Sequence, residues 1–208
     1  MCEGMEAFGY HYDGGYQDYM IVPYKAIRCG GVNELADHLS FEEAALAELL
    51  ACAINGQNLS QVRLGESMLI IGSGPVGILQ AQLAHARGCR MIVMADILPE
   101  KLDAAKRMIP DMIQNTLLTT DMKAFTDQAR ALTHGAGFDQ VMVCCGVAAA
   151  QQAALELAAK CGCVNMFGGL PKGKEQVLLN TNHIHYKQCR VVGTHGSSAL
   201  DNRMALDM

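Results

Sequence analysis

The stretch of residues 67–96 constrains the fold of this chain more than any other part of it. Residues 68–71 form a short apolar run, as expected of a strand that is buried on both faces of a parallel sheet. From residue 76 to residue 87 the apolar side chains recur at three- and four-residue steps, which predicts a helix. Residues 91–95 predict a second strand, which ends at Asp96. The order of strand, helix and strand is typical of an α/β fold.

Three glycines, Gly72, Gly74 and Gly77, follow the first strand in the spacing G-x-G-x-x-G. Such a loop needs the first glycine for a tight turn, the second for close approach to a pyrophosphate, and the third for close packing of helix on strand. A pyrophosphate would bind the free N–H groups at the helix N-terminus. Asp96 lies 19 residues beyond Gly77, where a carboxylate accepts hydrogen bonds from an adenosine ribose. In this context the motif predicts a dinucleotide-binding loop, and a glycine-rich turn without a ligand is the weaker interpretation.

A membrane span is the other interpretation of this region, because residues 67–86 carry no charged side chain. Gly72, Gly74 and Pro75 would break such a helix in its first third. Gln80 and Gln82 would also face lipid without partners, and we therefore reject a span.

The composition indicates a small-molecule partner. Half of the 208 residues are apolar, 18% are charged and the net charge is −5, which gives no basic surface for nucleic acid or anionic membrane. Glu3 and Glu6 stand where a signal peptide would need a basic segment and an apolar run.

The nine cysteines predict reduced thiols in the cytoplasm and not a disulfide framework, because they form no C-x-x-C pair and lie mostly in predicted helices and strands. Cys161 and Cys163 are interpreted as small buried residues.

The remaining segments predict alternating helices and strands, and hence a doubly wound parallel sheet of the Rossmann type. Ser40 is the predicted N-cap of a buried helix over residues 39–55, followed by a linker at 57–63. An isolated strand is predicted at residues 16–22. Further helices are predicted at residues 101–108, 122–133, 148–160, 181–187 and from 199 onward, and further strands within 109–118 and at 140–144, 163–167, 177–179 and 190–192.

Four stretches give the chain a specific resemblance: DGGYQDYMIVP at residues 13–23, LSFEEAALAELLACAINGQ at 39–57, GSGPVG at 72–77, and HIHYKQCRVVGTHGSS at 183–198. The chain resembles the zinc-dependent medium-chain alcohol dehydrogenases, in the branch of the sorbitol, threonine and sugar-phosphate dehydrogenases. The resemblance implies an NAD-dependent oxidoreductase of the cytoplasm that takes hydride from a small-molecule alcohol, polyol or sugar phosphate. It also implies three parts: a remnant of a GroES-like catalytic domain at 1–38, a connecting helix and linker at 39–65, and a Rossmann domain at 66–208.

The resemblance also assigns site residues. Glu48 matches a glutamate that can help to hold the catalytic zinc, although an exposed helix glutamate is an equal alternative. Cys2 stands where the family has the last cysteine of a structural zinc lobe. His183 and His185, two residues apart on a helix, point to different faces and cannot share one ion. The residues expected to contact NAD are Gly72, Gly74, Pro75, Val76, Gly77, Asp96, Lys101, Cys145, Gly146, Phe167, Gly168 and Gly169.

Alternatives remain open at this point. Because the family's principal zinc ligands have no match here, the chain could be a non-catalytic NAD-binding module. A methyltransferase that binds S-adenosylmethionine also uses a glycine loop and an acid after the second strand, but Pro75 argues against it. Residues 177–179 match a family edge strand that pairs with a second subunit, which predicts a homodimer or a tetramer.

Overall fold

The computed structural model describes Gly4 and residues 6–208, and its sheet consists of six parallel strands. The strands are β1 (Ser67–Ile71), β2 (Met91–Asp96), β3 (Asn115–Leu118), β4 (Phe138–Val143), β5 (Ala158–Met166) and β6 (Arg190–Gly193). Their order is β3-β2-β1-β4-β5-β6, so the direction of winding reverses between β1 and β4. The predicted doubly wound parallel sheet is therefore confirmed, and its ligand crevice is expected where β1 and β4 end.

Helices connect the strands. They are α1 (Tyr24–Arg28), α2 (Phe41–Ala44), α3 (Ala47–Ser60), α4 (Pro75–Ala86), α5 (Pro99–Met108), α6 (Met122–Leu132), α7 (Ala148–Leu157), α8 (Asn182–Lys187) and α9 (Ala199–Leu206). Among the described residues, no helix has the length and apolar character needed to cross a membrane.

Both faces of the sheet are covered, because successive side chains along each strand enter different apolar clusters. Leu69 and Ile71 of β1 pack in one cluster with Phe125 of α6. Met68 and Ile70 pack in another cluster, which includes residues of α4 and α5. All five residues of β1 are accordingly buried, as the apolar run predicted.

The predicted helix at 39–55 is two helices in the structure, α2 and α3. Ser40 caps α2 as predicted, in a capping box in which its side chain accepts from the Glu43 N–H. The predicted linker at 57–63 is wrong over its first part, since α3 continues to Ser60. Buried Gln57 explains the extension: its amide donates to the Gln80 carbonyl of α4 at 2.8 Å, a contact that a linker would not hold.

The predicted helix at 148–160 ends early, at Leu157, and β5 begins at Ala158 and not near Cys163. Alanine-rich sequence favours helix, but pairing of Ala158 with Phe138 of β4 overrides that propensity. The Lys187 ammonium also donates to the carbonyl oxygens of Glu156 and Ala158, both at 2.7 Å. These contacts satisfy carbonyls at the helix end and fix its position.

Two predicted strands are wrong. Residues 177–179 form no strand, and one of their backbone groups, the Leu178 carbonyl, accepts from the Gln152 side chain at 2.8 Å. Residues 16–22 form no strand either, and Tyr16, Tyr19 and Ile21 are exposed. Within the described part of the chain, no strand pairs with the alternating segment 16–22 or with the short apolar segment 177–179. Such a segment becomes a strand only when another strand pairs with it.

The chain divides into two compact units, Met1–Ala36 and Asp37–Met208. In the first unit the Glu6 carboxylate accepts from the Lys25 ammonium at 3.0 Å and from the Tyr12 hydroxyl at 2.8 Å. The functional assignment of segments 1–38, 39–65 and 66–208 stays a prediction.

The cysteines in the described part of the chain are free thiols, as expected. Cys163 is buried as predicted. Cys161 is exposed, which corrects its interpretation as a buried residue. It occupies a left-handed position (φ 60°) where the pairing of β5 with β4 shifts register between Ala158 and Cys163. Cys2 lies outside the described residues.

Candidate functional site

The loop between β1 and α4 is built by its glycines, each for a different steric reason. Gly72 has φ +114°, and a Cβ there would lie 2.9 Å from the Cys144 carbonyl oxygen. A Cβ on Gly77 would lie 2.0 Å from the Gly72 carbonyl oxygen. A Cβ on Gly74 would meet no atom within 4 Å. Gly72 and Gly77 are therefore required by the packing of the protein itself, whereas the space at Gly74 is open to a ligand.

The N-terminus of α4 provides donors at this loop. Pro75 is the first helical residue and Gly74 is the N-cap, without a side chain that could cap the helix. The N–H groups of Val76 and Gly77 in the first turn have no intrahelical acceptor. An anionic group that approaches the open side of Gly74 would meet these donors and the positive end of the helix dipole.

Asp96, at the end of β2, is hydrogen-bonded to the glycine loop. Its Oδ2 accepts from the Ser73 N–H at 2.8 Å and from the Ser73 hydroxyl at 3.1 Å, and its Oδ1 accepts from the Leu98 N–H at 3.1 Å. Partial burial acts to raise the pKa of the Asp96 carboxyl, but these hydrogen bonds and the Lys101 charge outweigh it and hold the pKa below its usual value. Asp96 is therefore a fixed anion at neutral pH.

A cavity of about 120 Å³ opens beside Asp96 at the carboxyl ends of the strands. Gly72 and Ile97 line it from one side, and Thr119 and Cys145 line it after β3 and β4. This is the edge of a doubly wound sheet at which ligands bind.

The loops after β4 and β5 approach each other closely. A Cβ on Gly168 would lie 2.8 Å from backbone atoms of Cys145, and a Cβ on Gly146 would lie 2.7 Å from the Gly169 carbonyl oxygen. The structure therefore brings the predicted site residues of these two loops together. The Phe167 ring packs elsewhere, over Gly56 of α3, where a Cβ would meet it at 2.8 Å.

Lys101 lies in the first turn of α5 and is exposed. It lines a groove together with Ser73, Gly74 and Pro75, on the outer side of the glycine loop. The side chain is thus close enough to the loop to approach a ligand there.

Glu48 is an exposed residue of α3, and its carboxylate accepts from the Cys52 thiol at 3.2 Å. Burial, together with this hydrogen bond, raises the pKa of Cys52 to about 11, so the thiol stays protonated at neutral pH. Within residues 6–208 no three His, Cys, Asp or Glu side chains are grouped so that they could hold a metal ion. Since zinc in proteins takes three or four such ligands, the described residues do not fit a zinc site.

Sequence reasoning missed two residues of this region. Ser73 was passed over as a variable position of the glycine motif, although it holds Asp96. Thr119 was missed because the end of β3 had no predicted boundary; the rule that ligands bind at the carboxyl ends of strands would have found it once that boundary was known. The hydrogen bond from Ser73 to Asp96 joins residues 23 positions apart in the chain, and no local sequence pattern predicts it.

Comparison with known proteins places the chain in a family. The family model described as zinc-binding dehydrogenase matches residues 75–208. L-galactonate-5-dehydrogenase of Escherichia coli is 28% identical over 96% of this chain and 55% of its own length. D-altritol 5-dehydrogenase of Agrobacterium fabrum is 28% identical over 94% of this chain and 54% of its own length. The chain thus spans about half the length of these curated relatives.

Solved structures agree with this result. A protein of Sinorhizobium meliloti 1021, described as a zinc-binding dehydrogenase bound to NADP, superposes with a TM-score of 0.84 and 29% identity. The match covers 100% of this chain and 58% of that protein. The glycine loop, the strand order and these matches agree, and the chain belongs to the zinc-binding dehydrogenase family.

Proposed function

We propose that this chain supplies the dinucleotide-binding half of an oxidoreductase that transfers hydride from a secondary alcohol to NAD. The observation that carries the proposal is the hydrogen-bonded pair of glycine loop and Asp96, beside a cavity at the carboxyl edge of the sheet. The family assignment argues against the methyltransferase alternative. When bound, the nicotinamide supplies the hydride acceptor.

The residues of the site have distinct roles in this proposal. The pyrophosphate binds the N–H groups of Val76 and Gly77, and Gly74 gives it room. Asp96 accepts from the adenosine ribose, and the adenine occupies the cavity beside Cys145. Lys101 lies along the adenosine. The loops that contain Gly146, Gly168 and Gly169 line the path toward the nicotinamide.

The substrate class is a polyol or a related polyhydroxylated alcohol. This proposal comes from the relatives, two of which are named for L-galactonate and D-altritol. A sugar phosphate belongs to the same class of candidate.

Zinc does not belong to the function that we propose for this chain by itself. Glu48 remains a candidate ligand in the complete enzyme, but in the described residues it has no companions for a metal site. This observation favours the second candidate function, a chain that binds the dinucleotide without turnover. The free thiols also suit a reducing compartment, and we propose the cytoplasm.

The purified chain is expected to bind NADH but to oxidise no alcohol. Binding is measured by NADH fluorescence, zinc content by elemental analysis, and activity with sorbitol, threonine and sugar phosphates. Failure to bind either NADH or NADPH would contradict the proposed function. Zinc-dependent turnover would show that unidentified ligands complete a zinc site, and His11, His38 and His195 would be substituted first.

We also propose that the chain forms a homodimer, or a tetramer built from such dimers, through the open edge of its sheet. β6 lies at this edge with Val191 partly exposed, and Leu178, in the segment that resembles the family's edge strand, is 89% exposed. An unpaired, partly apolar edge strand is stabilised when a second copy covers it. Sedimentation velocity at micromolar concentration should show a dimer or a larger species, and a monomer there would contradict this proposal.

A further inference from the structure

The hydrogen bonds of Asp96 leave its two carboxylate oxygens in different states. A carboxylate oxygen offers two lone-pair sites, and both sites of Oδ2 are taken by the N–H and the hydroxyl of Ser73. Oδ1 accepts one bond, from the Leu98 N–H, and keeps one site. A ligand at Asp96 therefore finds one acceptor oxygen available, in an orientation that the protein has already set.

Ser73 is suited to hold this orientation because it is itself fixed. It is 2% exposed, and its backbone belongs to the glycine loop. The N–H and the hydroxyl of Ser73 both donate to Oδ2 of Asp96. A rotation of the Asp96 carboxylate about its Cβ–Cγ bond would therefore break both hydrogen bonds. If the hydroxyl were removed, the Ser73 N–H would still donate to Oδ2. One donor would constrain the rotation of the carboxylate less than two donors do.

We propose that Ser73 is a specificity-determining positioning residue, whose hydroxyl fixes the Asp96 carboxylate so that Oδ1 accepts from the ribose and the negative charge stays at the 2′ position. The inference rests on the proposed function, in which Asp96 binds the adenosine ribose. A fixed carboxylate pairs with a 2′-hydroxyl and repels a 2′-phosphate. Ser73 thereby sharpens the choice between NAD and NADP through the Asp96 carboxylate.

The chain contains a matched control for this arrangement. At the other end of β1, Ser67 donates its N–H and its hydroxyl to Oδ2 of Asp139, both at 2.8 Å. The two serine donors are the same and the serine is equally buried, although the Ser67 hydroxyl also accepts from the Asp139 N–H at 3.1 Å and the Asp139 carboxylate also pairs with Arg90. Ser67 begins β1, so this site lies at the amino ends of the strands, away from the candidate cofactor site. Removal of either serine hydroxyl should therefore lower the stability of the chain. Only removal of the Ser73 hydroxyl should change the choice between NAD and NADP.

The experiment compares Ser73→Ala, Ser73→Thr and Ser67→Ala by measuring dissociation constants for NADH and NADPH on the full chain. Ser73→Ala should weaken NADH binding about 5-fold and reduce the preference over NADPH by a similar factor, the effect of one lost hydrogen bond. Ser73→Thr keeps the hydroxyl and should keep the preference. Ser67→Ala should change neither constant. Circular dichroism establishes that each variant is folded.

Two further measurements separate positioning from a general effect on the loop. In an Asp96→Ala background, Ser73→Ala should leave the ratio of the two constants unchanged. In the ligand-free chain, the Asp96 carboxyl should titrate at a higher pH in Ser73→Ala than in the wild type, as followed by carbon NMR.

An equal loss of NADH and NADPH affinity in Ser73→Ala, or an unmoved Asp96 titration, would overturn the inference and leave the proposed function standing. A wild-type chain that binds neither dinucleotide would overturn both.

Discussion

Gly77→Ala should lower the thermal stability of the chain severely and abolish dinucleotide binding with it. The new methyl carbon would lie 2.0 Å from the Gly72 carbonyl oxygen and 3.0 Å from its carbonyl carbon. Both atoms are backbone, so a side-chain rotation cannot relieve the overlap, and α4 must move away from β1. We expect a cost of more than about 3 kcal/mol, because the shift also disturbs packing on both sides of the loop. In a domain of this size that corresponds to a fall in Tm of roughly 6 to 12 °C.

Gly74→Ala is the matched control for this variant. The same methyl group at Gly74 meets no atom within 4 Å, and the backbone there is extended (φ −73°, ψ −176°), a conformation that alanine adopts. Its stability should remain within about 1 kcal/mol of the wild type. NADH binding should nevertheless fall at least about tenfold, because the methyl group occupies the space that the pyrophosphate needs. A wild-type Tm for Gly77→Ala, or wild-type NADH affinity for Gly74→Ala, would contradict this division of roles.

Asp96→Ala should remove the preference for NAD over NADP. A 2′-phosphate at Asp96 would place like charges about 4 Å apart, which costs on the order of 1 to 4 kcal/mol across the dielectric range of a surface site. The wild-type chain should therefore bind NADH at least about fivefold more tightly than NADPH. In the variant the two dissociation constants should converge, since the ribose loses its acceptor and the phosphate loses its repulsion. The low pKa of the carboxyl means that the wild-type preference should persist well below neutral pH.

The similar protein from Sinorhizobium meliloti is described as bound to NADP. Family membership alone therefore does not predict a preference for NAD, and the two dissociation constants test the preference directly. Asp96→Asn keeps an acceptor oxygen for the two Ser73 donors, loses the acceptor of the Leu98 N–H and removes the charge. It therefore tests the charge repulsion while the contact with the glycine loop is kept. Asp103→Asn, an exposed carboxylate on α5, controls for the change in net charge. Equal or tighter binding of NADPH by the wild-type chain would rule out the NAD assignment. So would an Asp96→Asn variant that retains the full wild-type preference.

Local patterns in the sequence predicted the centre of this fold well. The run at β1, the helical spacing after it and the glycines between them each involve residues a few positions apart. Such patterns report the local conformation of the backbone and which faces of an element are apolar. The Ser40 cap of α2 belongs to the same class, since it acts within one helical turn.

Pairing between distant segments decided what the sequence could not show. Residues 16–22 and 177–179 have strand-like composition, but no strand among the described residues pairs with them. Ala158 lies in an alanine-rich segment that favours helix, but it pairs with Phe138 and begins β5.

The candidate site divides in the same way. The glycine motif and Asp96 could be recognised from their spacing, because the chemistry of a bound pyrophosphate and ribose dictates it. The bond from Ser73 to Asp96, the cavity beside Cys145 and the position of the Phe167 ring could not, because they depend on strand register and on side chains far apart in the chain. Local sequence patterns thus predict the backbone conformations and the apolar faces, whereas strand register and long-range packing set which polar groups meet.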